Sequence, residues 1–337
     1  MDKKLETPQE TFRLRPFQPG DEGKLLDLWR QAFQQELDPA VLAWKFWNNP
    51  FGTQVMLCLA EDGLPVVMFS GIPYAGRYEG RRVQLTHAMD TMSHPRYRGT
   101  ISGRRGLFVQ TAEHFLQTQT GSKASAFVYG LPGERHFRLG SMLLGYARLP
   151  GQLKHMTWTV ESQPAAIKPF RGRLIRLDSL PDAGLDCVAS ELGRSYPFHV
   201  CRDSAFYSWR FAQHPVHEYD LWLYGSGIAK RIKGALAIRR HGQQATIVDL
   251  FMAPEPDAVQ DLIARLTAVY RRFGMTSLQT WLPCGHPVTE TFAGCCLERQ
   301  EPFGIVPSYV ARTFDRRLPH AAGAEKLFYT MADGDLL

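Results

Sequence analysis

Apolar residues recur along the chain at two spacings, about two and about three to four, and the segments they mark follow a consistent order. Phe12 to Phe17 reads as a strand, and the turn Pro19-Gly20-Asp21 opens a helix carrying Leu25, Leu26, Leu28, Trp29 and Phe33. A second helix begins at Asp38, a good N-cap, with Pro39 at its first position. It runs through Leu42, Trp44, Lys45, Phe46 and Trp47 until Asn48-Asn49-Pro50 stops it. Strands are predicted over 54–60 and 65–72, joined by Glu61-Asp62-Gly63, and a third over 85–93, closed by His94-Pro95 because proline cannot continue a ladder. Then come Arg96, Arg98, Gly99, Gly103, Arg104, Arg105 and Gly106, followed by Leu107, Phe108, Thr111, Ala112 and Phe115 at helical spacing. A strand over 124–131, the turn Pro132-Gly133-Glu134, and a short helix with His136, Phe137 and Leu139, ended by Gly140, complete the half. This order predicts a mixed α/β fold with a sheet that passes from antiparallel to parallel.

From about 150 to 172 the periodicity fades, and Pro150, Gly151, Pro164 and Pro169 mark a crossover. Beyond it the chain repeats itself. Asp38, Leu42, Trp44, Lys45, Phe46 and Pro50 recur with the same spacing as Asp203, Tyr207, Trp209, Arg210, Phe211 and Pro215. Asp90 and Pro95 correspond to Asp249 and Pro254, and Leu131-Pro132 to Leu282-Pro283. The predicted organisation is a domain over 1–150, a linker over 151–172, a second domain over 173–316 and a tail over 317–337, whose Leu327-Phe328-Tyr329 is apolar enough to dock. In the second copy the loop after the strand is Ala253-Pro254-Glu255-Pro256-Asp257, which would repel a phosphate, so that copy reads as degenerate.

The strand, glycine-arginine loop and helix of the first copy suit an anion. A helix N-terminus presents unpaired N–H groups and a partial positive charge, and glycines let the backbone come close. Four arginines between 96 and 105, with no acid among them, strengthen that reading, although such a loop is also an ordinary solvated turn.

Composition narrows the partners. With 337 residues, 44% apolar, the chain can bury two cores, and a net charge of +6 without long basic runs fits a phosphate-bearing small ligand and argues against nucleic acid. No apolar run reaches 18 residues and the first ten residues are polar, so no membrane partner and a cytoplasmic location are expected. Six cysteines without a CxxC pair are expected as reduced, mostly buried thiols, with no metal site.

On Phe12 to Asp21, Trp44-Lys45-Phe46 with Pro50, His94-Pro95-Arg96-Tyr97-Arg98-Gly99, Gly106-Leu107-Phe108 and Phe137-Arg138-Leu139-Gly140, the chain resembles the GNAT superfamily of acyl-CoA-dependent acyltransferases, in its tandem two-domain form. The resemblance implies acetyl-CoA or another acyl-CoA as co-substrate, without a metal, and an amine acceptor that is a small molecule or sugar. The family signature Arg/Gln-x-x-Gly-x-Gly/Ala is interrupted here: Gly99 follows Arg96 correctly, but Ile101 takes the last place, and Arg105-Gly106-Leu107 closes the loop about five residues later. By resemblance the cofactor-binding residues are Met92, Arg96, Arg98, Gly99, Gly103, Arg104, Arg105, Gly106 and Leu107. Asp90 is the expected base, directly or through water, unless it is a structural strand-end carboxylate. The general acid, counted four residues back from Gly140, is His136, with Tyr129 or Tyr146 able to serve instead. His87, three residues before Asp90, is expected on the opposite face of the strand. Two other readings stay open: a Fem-type transferase using aminoacyl-tRNA, for which +6 is a small charge, and a non-catalytic scaffold in which both halves have lost the cofactor.

Overall fold

The computed structural model describes residues 2–6, 10–99, 103–121, 124–151, 153–161, 172–180, 182–226, 231–299, 305–311 and 320–334. The chain forms two compact units, one of Met1–Ala75, Val83–Leu149 and Gly304–Ala322, the other of Gly76–Arg82, Pro150–Phe303 and Gly323–Leu337.

In the first unit the strands are β1 (Lys3–Glu6), β2 (Thr11–Pro16), β3 (Gln54–Leu59), β4 (Pro65–Tyr78), β5 (Arg81–Ser93), β6 (Phe127–Gly130) and β7 (Tyr146–Arg148). They lie in the order β1-β2-β3-β4-β5-β6, then Ser308–Val310, then β7. Pairing is antiparallel from β1 to β4 and parallel between β5 and β6, as the sequence predicted. Both β4 and β5 run longer than predicted because Glu79 (φ 47°) and Gly80 (φ 79°) make a two-residue turn that lets them form one long hairpin, whose tip belongs to the second unit.

The helices of this unit are α1 (Glu22–Phe33), α2 (Pro39–Phe46), α3 (Leu107–Gln119) and α4 (Glu134–Leu143). Asp38 caps α2 by accepting from the Ala40 N–H at 2.8 Å. The inner face of α3, Val109, Ala112, Phe115 and Leu116, packs on Met56, Phe69, Val128 and Val310. One expectation fails on α4: Gly140 lies within the helix, which runs on to Leu143. Its glycine serves close packing, since a Cβ there would stand 2.2 Å from the Tyr146 ring.

The second unit carries β8 (Leu153–Thr159), β9 (Gly172–Arg176), β10 (Phe198–Val200), β11 (Asp220–Ser226), β12 (Arg231–His241), β13 (Gln244–Met252), β14 (Ser277–Pro283) and β15 (Leu297–Arg299). Its described sheet has the order β15-β8-β14-β13-β12-β11-β9. The main helices are α5 (Ala183–Leu192), α6 (Ser204–Tyr207), α7 (Pro256–Arg272) and α8 (Pro287–Cys295). The stretch expected as linker therefore contributes an interior strand, β8, between β14 and β15, with Met156 and Trp158 buried; residues 162–171 lie outside the described ones. The expected tail is built in as well. Leu327–Phe328 pairs with β10, which pairs in turn with the hairpin tip at Gly76 to Tyr78.

All six cysteines are free thiols, but only Cys58, on the central strand β3, is buried; Cys187 and Cys295 sit on the outer sides of α5 and α8 and are exposed. Burial pushes the Cys58 thiol up to about 12, which keeps it protonated and unreactive.

Candidate active site

Strand β5 is the backbone of the site. Its parallel register with β6 runs from Leu85↔Phe127 to His87↔Tyr129, and β6 ends at Gly130, while β5 continues to Ser93. Just past the last ladder pair, a Cβ on Gly130 would stand 3.1 Å from the Ala88 carbonyl oxygen. Past that point the β6-facing edge of β5 leaves the ladder. Asp90 falls in this stretch with φ 48°, a left-handed conformation that a strand interior takes only at an irregularity. That kink also ends the two-residue alternation, so the face of Asp90 cannot be counted from His87 as the sequence reading assumed.

The Asp90 carboxylate meets a partner that the sequence reading missed. Lys45 Nζ lies 3.0 Å from Asp90 Oδ2, with side chains only 9% and 4% exposed. Helix α2 delivers the lysine among Leu42, Trp44 and Phe46, its ammonium 5.9 Å from the Trp29 ring centroid. A lysine in the middle of an apolar helical stretch was the available signal, because a buried ammonium requires an anion nearby.

The loop after β5 is shaped by local bonds. His94 Nδ1 accepts from the Arg96 N–H at 3.2 Å and starts a single turn over Pro95–Tyr97. Arg98, expected to face the anion, instead donates from Nε to the Ser93 carbonyl and from an Nη to the Ala32 carbonyl, both at 3.0 Å, tying the loop to the end of α1. Gly99 and Gly103 have φ of 81° and 65°, which glycine adopts without strain. Residues 100–102, where the loop departs from the family signature, lie outside the described ones.

Arg104 and Arg105 are exposed on a turn over Gly103–Arg105, and Gly106 is the N-cap of α3. Among the described residues no side chain caps that helix and its first turn carries no acid. The first N–H groups of a helix have no intrahelical acceptor, and the helix dipole favours an anion beside them. Leu107 contributes only backbone, since its side chain is buried with Phe12, Leu14, Cys58, Val66 and Val67; Met92, 3% exposed, is likewise limited to its backbone. Burial, followed by the charges of Arg96 and Arg98, holds the His94 imidazole below its usual range.

His136 lies beside the start of α3. Its ring meets Phe108 edge-on at 5.5 Å and Tyr146 at 6.1 Å, and burial lowers its pKa, so it is neutral at pH 7. Burial raises the Tyr146 phenol, which stays protonated. Tyr129 stacks on His87 with centroids 5.2 Å apart, at the last paired position of β5 and β6. The structure thus joins Asp90 to Lys45, His136 to the mouth of α3, and Tyr129 to the point where the strands part. Among the described residues no three His, Cys, Asp or Glu side chains are arranged to hold a metal ion, and no helix is long and apolar enough to cross a membrane.

Residues 13–137 match the family profile of the acetyltransferase (GNAT) domain. No functionally curated protein matches the chain. Solved structures with similar folds include a GCN5-related N-acetyltransferase from Anabaena variabilis ATCC 29413 (TM-score 0.67, 13% identity, 88% of this chain and 72% of that one). A protein of unknown function from Enterococcus faecalis V583, described as a probable N-acyltransferase, has a TM-score of 0.66 at 18% identity, over 90% of this chain and 73% of that one. A GCN5-related N-acetyltransferase from Kribbella flavida has a TM-score of 0.63 at 14% identity, over 90% and 72%. A strand that leaves its neighbour, a glycine-arginine loop and an uncapped helix agree with these matches: residues 13–137 are similar to the acetyltransferase (GNAT) domain, and the chain has the fold of the GCN5-related N-acetyltransferases.

Proposed function

We propose that the first unit is an N-acyltransferase that moves an acetyl or related acyl group from a CoA thioester to an amine of a small molecule or sugar, and that the second unit is a degenerate copy. The observation that carries this reading is the open first turn of α3, without a cap or an acid, reached through a glycine-arginine loop. The residues present fit the co-substrate. The N–H groups of Leu107 and Phe108 at the start of α3 would hold its pyrophosphate, Arg104 and Arg105 would add charge at the rim, and the freed edge of β5 beyond Ala88 would bond its amide chain. Bound there, acyl-CoA supplies an activated carbonyl; the protein has to deprotonate the amine, steady the carbonyl oxygen and protonate the leaving sulfur.

Asp90 is the candidate acceptor of the amine proton through water, with Oδ2 held by Lys45 and the carboxylate fixed in one orientation. His136 would donate a hydrogen bond to the leaving group from a neutral imidazole N–H; Tyr146 and Tyr129 are the alternative donors. Dependence on acyl-CoA puts this activity in the cytoplasm. Calorimetric titration with acetyl-CoA, followed by assay of free CoA release over a panel of amines, tests the reading. Micromolar binding and amine-dependent release are expected; a folded protein that binds no CoA thioester refutes it.

A further inference from the structure

The second unit repeats the strand arrangement of the first and then fills it. On β13 the register with β12 passes from Ala237↔Asp249 to Ile238↔Ile247, leaving Val248 as a bulge beside Asp249, the counterpart of Asp90. The parallel pairing of β13 with β14 covers three positions, Gln244↔Ser277 to Thr246↔Gln279, matching the three between β5 and β6. Thr280 Oγ1 still donates to the Ile247 carbonyl at 3.0 Å. Beyond it β13 runs on to Met252 and β14 to Pro283 without a ladder between them among the described residues.

Other parts of the unit occupy that opening. The Ala253 N–H donates to Lys233 on the β12 side, so the preceding residue, Met252, turns its N–H and carbonyl the other way. Both meet the Tyr196 hydroxyl, which donates to the Met252 carbonyl at 2.6 Å and accepts from its N–H at 3.3 Å. Phe328 packs on the Tyr196 ring at 4.5 Å, Tyr329 meets Trp281 of β14 at 6.3 Å, and the Thr330 hydroxyl donates to Asp249 Oδ1 at 2.6 Å. The segment thus reaches both walls. Asp249 is saturated: Arg202 Nε lies 3.1 Å from each oxygen and the Tyr207 hydroxyl 3.0 Å from Oδ2. Asp333 locks the far side by pairing with Arg202 and accepting from the Thr330 N–H at 2.7 Å, all of these groups being buried. At the start of α7, Glu255 and Asp257 stand where the first unit has arginines.

We infer that this chain closes the cofactor slot of its second unit with its own Tyr196 and Phe328–Asp333, so that each chain binds one acyl-CoA. The slot-filling segment is a built-in substitute ligand: hydroxyl and carboxylate groups take the hydrogen bonds, and aromatic rings take the volume. The stoichiometry rests on the function proposed above; the closure does not.

Two measurements separate them. Equilibrium titration with acetyl-CoA is expected to give one equivalent per chain, lost in an Arg104→Glu/Arg105→Glu variant; two equivalents, or one that survives that variant, overturns the inference. Hydrogen exchange of Asp333→Asn is expected to speed amides in 247–252 and 280–283 at least tenfold while 85–119 keeps wild-type protection, and unchanged exchange at those strands also overturns it. If Asp333→Asn does not fold, Tyr196→Phe removes a hydroxyl and no charge, and must speed exchange at Met252 to the same degree. Absence of any acetyl-CoA binding would defeat the proposed function alone, and the exchange result would still decide whether the slot is closed.

Discussion

Reversing the two rim charges, Arg104→Glu/Arg105→Glu, tests the anion site with little risk to the fold. Both side chains are exposed on a one-turn segment, and the bond that seats it, Gln110 Nε2 to the Arg104 carbonyl at 2.8 Å, uses backbone. Stability should therefore change by no more than about 0.5 kcal/mol. Each substitution removes one positive charge and adds one negative, four unit changes in all. An exposed pair about 4 Å apart in water is worth about 1 kcal/mol, so the unscreened sum is about 4 kcal/mol. Screening at physiological salt reduces this to roughly 2–3 kcal/mol, a weakening of acetyl-CoA binding by roughly 30- to 140-fold. Calorimetry at 0.05 M and 0.5 M salt reads the effect, which should shrink at the higher concentration, and thermal unfolding checks the fold. A folded variant whose affinity stays within about threefold of wild type would refute the argument that this loop holds the phosphates.

Lys45→Met should cost about 3–5 kcal/mol by removing the ammonium that faces the Asp90 carboxylate at 4% exposure, while Lys45→Met/Asp90→Asn, which keeps a residue that tolerates φ 48°, recovers most of it; thermal unfolding that shows no difference between the two would contradict a buried ion pair. Gly140→Ala should destabilise the first unit by roughly 1–3 kcal/mol, because the new Cβ meets the Tyr146 ring, and denaturant titration measures it. His199 is 1% exposed and burial lowers its pKa from 6.5 to about 4. Because the unfolded chain then binds more protons, its neutral ring contributes stability that is complete above pH 6.5 and is lost progressively toward pH 4. That loss amounts to about 3 kcal/mol for this residue, and His199→Gln should flatten the acid limb of a stability-against-pH curve.

The strand, loop and helix from 85 to 119 were legible because each signal acts within a few residues: proline after the strand, glycines where φ is positive, apolar positions on one face of the helix. β8 was passed over because prolines on both sides obscured the two-residue alternation of Met156 and Trp158. The end of α4 was misjudged because a glycine inside a helix looks like a stop until the ring packed on it is known. Arg98 was assigned to the anion by the charge of the loop and by family resemblance, whereas two nearby carbonyls claim its donors.

The sequence by itself determined the alternation of strands and helices, the internal repeat and the anion-favouring loop, since periodicity and turn chemistry are local properties of the backbone. Only tertiary structure decided how the buried charges were satisfied. Lys45 is 45 residues from Asp90, and Arg202 is 131 from Asp333. Each pair exists because a charge taken out of water needs its counter-charge within hydrogen-bonding distance, wherever in the chain that charge is found.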